Sequence, residues 1–284
     1  MNFFKALTLI VFLFGCSSKS KIPKGSDLGT WDPKVLEKEN GVIIIPQWHL
    51  APETDTKNIK GDLPQSINQT SIYKELSNWI VDKYVDTVII EGCENKNEFE
   101  KSMKFNGWTL NDLLQTPSIE EVQTHIGLKL KARFKDNIYI ECGDNLALIK
   151  ENQLALSEIR GLTGFKLRIE QQDLSPTIRK KYVESAKAVL HLSSEKNEKD
   201  VLAQIKLNLE KEIEIFETII KKRNDSFINK TNEIKGRKVI LIGLIHLNDM
   251  KKKLSNLNIP YSTWIPTGLD HAEKDLLSRL KASN

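Results

Sequence analysis

The sequence predicts an α/β fold: a parallel or mixed central sheet flanked by helices, with a large helical insertion between the third and fourth strands. Three observations carry this expectation. Short apolar runs recur at 42–46 (VIIIP), 86–92 (DTVIIEG), 137–142 (NIYIEC) and 238–243 (KVILIG). A strand covered on both faces reads as such an unbroken run. Stretches of helical periodicity separate the runs, and strands that alternate with helices pair in parallel. From about 144 to 233 the pattern is helical almost without interruption. That length exceeds one crossover helix, so it reads as an insertion packed beside the sheet.

Taken in order, residues 17–40 are polar, with Lys, Ser, Gly and Pro, and read as a tether. The first strand, 42–46, runs into Pro46, Gln47, Trp48 and His49. Residues 66–83 place Ile72, Leu76, Trp79 and Ile80 at helical spacing. The second strand ends in Glu91. A mixed helical region follows, including TLNDLLQ (109–115) and SIEEVQTHIGLKLKARF (118–134). In the third strand Tyr139 points opposite to Ile138 and Ile140 and reads as core. The stretch 199–234 is one long amphipathic pattern with Leu202, Ile205, Leu209, Ile213 and Phe216 on one face. After the fourth strand come a short helix and a fifth strand at 261–265 (YSTWI). No period of 20–50 residues stands out, so the chain is not a repeat array.

The 284 residues are ample for a sizeable core. A net charge of +4, from 42 basic and 38 acidic residues, is too balanced for a nucleic-acid binder. The lysine-rich segments are also glutamate-rich and read as solvated helix faces.

The N-terminus differs from the rest. MNFFKALTLIVFLFGCSSKSK has Lys5, an apolar run from Ala6 to Gly15, then Cys16, which is the layout of a secretory signal. The run is shorter than the roughly 20 apolar residues a membrane span needs. Leu13, Gly15 and Cys16 fit a bacterial lipobox; Phe14 is bulkier than the residue usual there. The expected organisation is a signal peptide over 1–15, a lipidated tether over 16–40 with Cys16 carrying the lipid, and a single α/β domain over 41–284. Ser17 and Ser18 after Cys16 point, in the enteric sorting rule, to the outer membrane. The expected location is the cell envelope, with the membrane as a partner through the N-terminal lipid. There Cys93 and Cys142 meet an oxidising compartment in which a disulfide is permitted; they read here as two small buried side chains.

Ligands of open α/β sheets bind outside the carboxyl ends of the strands. Those ends carry Gln47 and His49, Glu91, Glu141 with Asp144 just beyond, and His246. A lone histidine after a strand is usually structural, and Glu91 alone reads as a helix-start carboxylate. Together they form a set that a divalent metal such as Zn, Mn, Co or Fe accepts, or that does acid–base work without metal. The chain has no HExxH, GxSxG, P-loop or CxxC motif. Arg223 belongs either to a solvated lysine-rich helix face, beside Lys221 and Lys222, or to the site with Asn224. His125, His191 and His271 sit in polar helical or terminal contexts and have no evident pairing.

These residues resemble the Tiki/TraB and erythromycin esterase/ChaN-like superfamily. It is marked by a GxxH motif after the first strand, a glutamate ending a later strand, an Arg-Asn-like element on the long helix, and a second GxxH near the C-terminus. The matches are His49, Glu91 in VIIEG, Arg223-Asn224 in KKRND, and Gly243 with His246 in GLIH. Gln69 and the IYIECGDN segment are also similar. The likeness covers roughly residues 41–266. Pro46 stands where the first motif has glycine, and Gln47 where esterase- and ChaN-like members carry glutamate. Gln47 cannot act as a carboxylate base or an anionic ligand.

The resemblance implies a metal-dependent hydrolase acting on a peptide or ester bond, here on a domain that the N-terminal pattern expects to be lipid-anchored. His49, Glu91 and His246 would hold a divalent transition metal (Mn, Co or Zn), and Glu91, Arg223 and Asn224 would serve catalysis, Arg223 by steadying developing negative charge. The alternatives are a non-catalytic haem- or ligand-binding lipoprotein, as in ChaN-like members, and a scaffold with a degenerate site. The lipid expectation has its own test. Labelled palmitate should enter the wild-type chain and not Cys16→Ser; equal labelling of both would refute lipidation at Cys16.

Overall fold

A computed structural model describes residues 32–48, 64–95 and 126–269. Five parallel strands form one sheet: β1 (Val42–Gln47), β2 (Thr87–Ile90), β3 (Tyr139–Cys142), β4 (Lys238–Gly243) and β5 (Tyr261–Thr263), in the order β3-β2-β4-β1-β5. The α/β fold class is as the sequence predicts, and every pairing is parallel. The helices are α1 (Pro64–Val81), α2 (Ile126–Phe134), α3 (Leu146–Glu170), α4 (Pro176–Val189), α5 (Glu198–Glu233) and α6 (Leu247–Asn256). Among them α3, α4 and α5 occupy the stretch between β3 and β4, where the insertion was expected. No described helix is long and apolar enough to cross a membrane.

The sheet unit comprises the described residues up to 149 and from 220 onward. β1, β2 and β4 are buried on both faces. Ile43, Ile45, Val88, Ile90, Val239 and Leu241 share a core with Ile72, Leu76, Trp79 and Ile80 of α1 and Leu128 and Leu130 of α2. Val42, Ile44, Ile89, Ile240 and Ile242 point the other way, into a core with Phe227 and Ile228 of α5 and Leu247, Met250 and Leu254 of α6. The alternation along each strand splits one apolar run between two cores. α1 therefore follows β1 onto one face, and α6 follows β4 onto the other.

Residues 150–219 form a second compact unit, all helical. Ser175 caps α4, its Oγ accepting from the Ile178 N–H at 3.4 Å, with Pro176 at the first helical position. Asn197 and Asp200 cap α5 reciprocally, each side-chain oxygen accepting the other's N–H. The expected apolar face of α5 is buried at Ile205, Leu209, Ile213 and Phe216, with fully buried Val201 in place of half-buried Leu202.

Three expectations need correction or placement. Tyr139 is not core: it is 65% exposed, because β3 is an edge strand and only one side of it has a neighbouring strand. The tether expected through residue 40 is part of the fold from residue 32. Pro33–Glu37 form a 3-10 turn with Val35 and Leu36 buried, and the Asp32 N–H donates to Ser262 Oγ at 2.7 Å. Cys16, His49, His125 and His271, and the helical segments expected at 109–115 and 118–125, lie outside the described residues.

At the amino edge of the sheet, Asp86 and Arg237 clamp β2 to β4. Arg237 donates to both Asp86 oxygens, from Nη2 at 2.9 Å and Nε at 3.1 Å, and its carbonyl accepts the Asp86 N–H at 2.9 Å. Partial burial pushes the Asp86 carboxyl pKa up, but the Arg237 hydrogen bonds and charge outweigh it and leave the value below normal. A carboxyl depressed on folding stabilises fully above its unfolded value, about 3.9, and the effect is lost as pH falls through the folded value. Both side chains are partly exposed, so the contribution is small. Asp86→Asn should cost less than about 1 kcal/mol at neutral pH in urea titrations, and the deficit should fade as pH drops below about 4.

Candidate functional site

Between β1 and β4 the connections leave the sheet in opposite directions. β1 connects through α1 toward β2, and β4 connects through α6 toward β5, on the other side of β1. The two strands are neighbours, with Gln47 opposite Gly243 at their carboxyl ends. This is the topological switch point at which open α/β sheets bind ligands. Both histidine-bearing turns of the sequence leave the sheet from these two strands.

The centre of the edge is Arg223 on α5. Its Nε donates to Asp144 Oδ1 at 3.0 Å and its Nη2 to Asp144 Oδ2 at 2.5 Å, a two-pronged pair. The same Nη2 donates to Glu91 Oε1 at 2.8 Å. Asp144 is fully buried, and the N–H groups of Gly92 and Asn145 supply it with further bonds at 3.2 and 2.9 Å. Glu91 Oε2 accepts the Gly243 N–H at 2.6 Å, which ties the end of β2 to the end of β4. Burial disfavours the Arg223 charge, but its hydrogen bonds to Asp144 and the charges of Glu91 and Asp144 outweigh this and hold its pKa above the ordinary arginine value. The lysine-rich solvated face does not include Arg223, which is only 5% exposed.

His246 follows β4 in a 3-10 turn and is completely buried. Its Nδ1 lies 2.6 Å from Asn224 Oδ1. Its Nε2 has no hydrogen-bond partner among the described residues and stands 3.3 Å from Glu91 Oε1. Asn224, one residue beyond Arg223, also donates from Nδ2 to Asp249 Oδ2 at 2.8 Å. On the β1 side, α1 grips the backbone of Trp48. Its N–H donates to Asn68 Oδ1 at 2.8 Å and its carbonyl accepts from Gln69 Nε2 at 2.8 Å. The residue after it, His49, is outside the described residues.

Glu91, Arg223, Asn224 and His246 thus converge, and buried Gln47 sits at the same edge. Glu141 does not join them; it pairs with Lys230 at 3.3 Å on the α5 side. Sequence reasoning noticed Asp144 without giving it the central role it has. It missed Asn68 and Asp249 altogether. Asp249 reads in sequence as an ordinary first-turn helix acid, and Asn68 as one polar residue among many on α1. Cys93 and Cys142 form a disulfide, where two unpaired small side chains were expected. The reason is register: Ile90 pairs with Cys142, so the two loops beyond lie side by side despite 49 residues of separation.

Gly143 completes the corner, because a Cβ there would overlap the Phe227 ring, one turn along α5 from Arg223, and Ile89. Among the described residues, no three His, Cys, Asp or Glu side chains gather as a metal site. The chain matches no protein-family model, no curated protein and no solved structure.

Removing Arg223 would leave two buried carboxylates without their cation. Breaking a buried pair on one side costs about 3–5 kcal/mol. Arg223→Met should lose that much stability in urea denaturation, and Arg223→Lys should recover only part of it, since an ammonium cannot form the two-pronged contact. A loss below about 1 kcal/mol for Arg223→Met would show that the pair does not hold the edge together.

Proposed function

We propose that this chain is a lipid-anchored, metal-dependent hydrolase acting on a peptide or ester bond. One observation supports this reading above the others: the buried Nε2 of His246, which has no hydrogen-bond partner among the described residues, stands 3.3 Å from Glu91 Oε1 at the switch point of the sheet. A buried polar atom without a partner is costly, so its presence calls for an occupant. Two donors that each lie about 2.0–2.2 Å from one ion at a tetrahedral angle stand roughly 3.3–3.5 Å apart. Imidazole with carboxylate is a transition-metal donor set rather than a calcium or magnesium one.

His246 and Glu91 would hold the ion, with His49, next to the anchored Trp48, as the third ligand. When bound, a divalent ion of this kind supplies a water acidified toward neutral pH. The protein's own groups do the rest. Arg223 and the Gly243 N–H both donate to the Glu91 carboxylate and fix its two oxygens at the site. Arg223 uses Nε and Nη2 on the carboxylates and has no hydrogen bond from Nη1 among the described residues, which leaves a donor for negative charge developing on a substrate oxygen. Gln47, where esterase- and ChaN-like members of the superfamily it resembles carry glutamate, offers a neutral amide for substrate or water.

The test is calorimetric titration of the purified full chain with Mn, Co and Zn, followed by assay of the loaded protein on peptide and ester substrates. The expected result is one ion per chain, with binding lost in His49→Ala and His246→Ala. Binding that survives both substitutions would place the ion elsewhere. Absence of binding in the wild type would end the hydrolase reading and favour the haem-binding or scaffold alternatives.

A further inference from the structure

We infer that Asp249 and Asn224 are positioning residues that lock His246 in the tautomer with its proton on Nδ1, so that Nε2 presents a lone pair to Glu91 and to whatever cation sits between them. The inference rests on the proposed metal site, but it concerns the protein alone.

The carboxylate of Asp249 is an acceptor. It lies 2.8 Å from one terminal atom of the Asn224 amide, so that atom is the NH2 nitrogen. The backbone carbonyl of His246, also an acceptor, lies 3.4 Å from the same atom and requires the same assignment. Turning the amide over would set its oxygen against a carboxylate oxygen and a carbonyl oxygen at once. The other amide atom, Oδ1, therefore faces His246 and can only accept. His246 Nδ1, 2.6 Å away, must donate. In the neutral ring the proton is then on Nδ1 and the lone pair on Nε2.

The other ring nitrogen does not set the tautomer: Nε2 stands 3.3 Å from Glu91 Oε1 without making a hydrogen bond to it. The chain Asp249–Asn224–His246 places the proton from the Nδ1 end of the ring. Asp249 itself is held by the Lys253 ammonium at 3.8 Å, which also pairs with Asp225. A histidine that binds a metal through one nitrogen ordinarily donates from the other to a fixed partner, and such partners tune affinity. Here the fixed partner is an amide whose direction a second carboxylate dictates.

The experiment is long-range proton–nitrogen correlation spectroscopy on the metal-free full chain, labelled at its five histidines, at about pH 8, above the ordinary histidine range. His246→Gln assigns the signal. The wild type should show His246 protonated on Nδ1 only. Asp249→Asn, nearly isosteric, should shift the ring toward Nε2 protonation, because Asn224 is then free to turn over; Asn224→Leu should do the same, and Asp249→Glu should restore the wild-type pattern. Cobalt affinity of Asp249→Asn should fall about 10–100-fold. A wild-type ring protonated on Nε2, or a tautomer unmoved by both Asp249→Asn and Asn224→Leu, would overturn the inference. Because the tautomer is measured without metal, its failure is distinct from a failure of the protein to bind cobalt.

Discussion

The buried contact between Arg223 and the carboxylates of Asp144 and Glu91 is the constraint on which the carboxyl edge of this sheet depends. Two acids at the ends of β2 and β3 are taken out of water, and each would be strongly destabilising alone. One guanidinium on α5 serves both, through three hydrogen bonds, and backbone N–H groups of Gly92, Asn145 and Gly243 add three more. The three loops after β2, β3 and β4 thereby share one electrostatic centre. The disulfide between Cys93 and Cys142 ties the loop after β2 to the end of β3, covalently. Gly143 follows from the same constraint, since α5 comes close enough to deliver Arg223 only where its Phe227 ring has room.

A site built this way is rigid for a reason. His246 and Glu91 are not held by the loops that carry them alone; each is anchored by a group from another element. Asn224 holds His246 from α5, and Gly243 holds Glu91 from β4. On the opposite bank, α1 fixes both backbone groups of Trp48. Preorganisation of this kind places polar groups at defined distances before any ligand arrives, which catalysis and metal binding both require.

The parts legible in the sequence were those governed by one-dimensional pattern. The apolar runs of β1, β2 and β4, the helical spacing of Ile72, Leu76, Trp79 and Ile80, and polar residues that follow buried strands at Glu91 and His246 all announce themselves locally. What escaped depended on pairing. The cysteines meet because β2 and β3 are parallel neighbours in register, which their spacing does not reveal. Tyr139 lies exposed because β3 ends the sheet, and strand order is invisible in a strand's own alternation. Asp249 acts through Asn224, twenty-five positions earlier, so nothing near it in sequence marks it out.

The same dependence on pairing bears on when the site exists during folding. β4 lies between β1 and β2 and is paired with both, yet it follows them only after the long helical segment. Until β4 inserts, β1 and β2 have no common neighbour, and the edge lacks Gly243 to hold Glu91 and His246 to face it. Long loops close slowly, and contacts of high sequence separation are rewarded only after that entropy is spent. α5 runs directly up to β4, so its Arg223 and the strand arrive at the sheet as one connected segment. In the folded sheet the segment that supplies the central strand also supplies the partners of the Asp144 and Glu91 charges, Arg223 from α5 and the Gly243 N–H from β4.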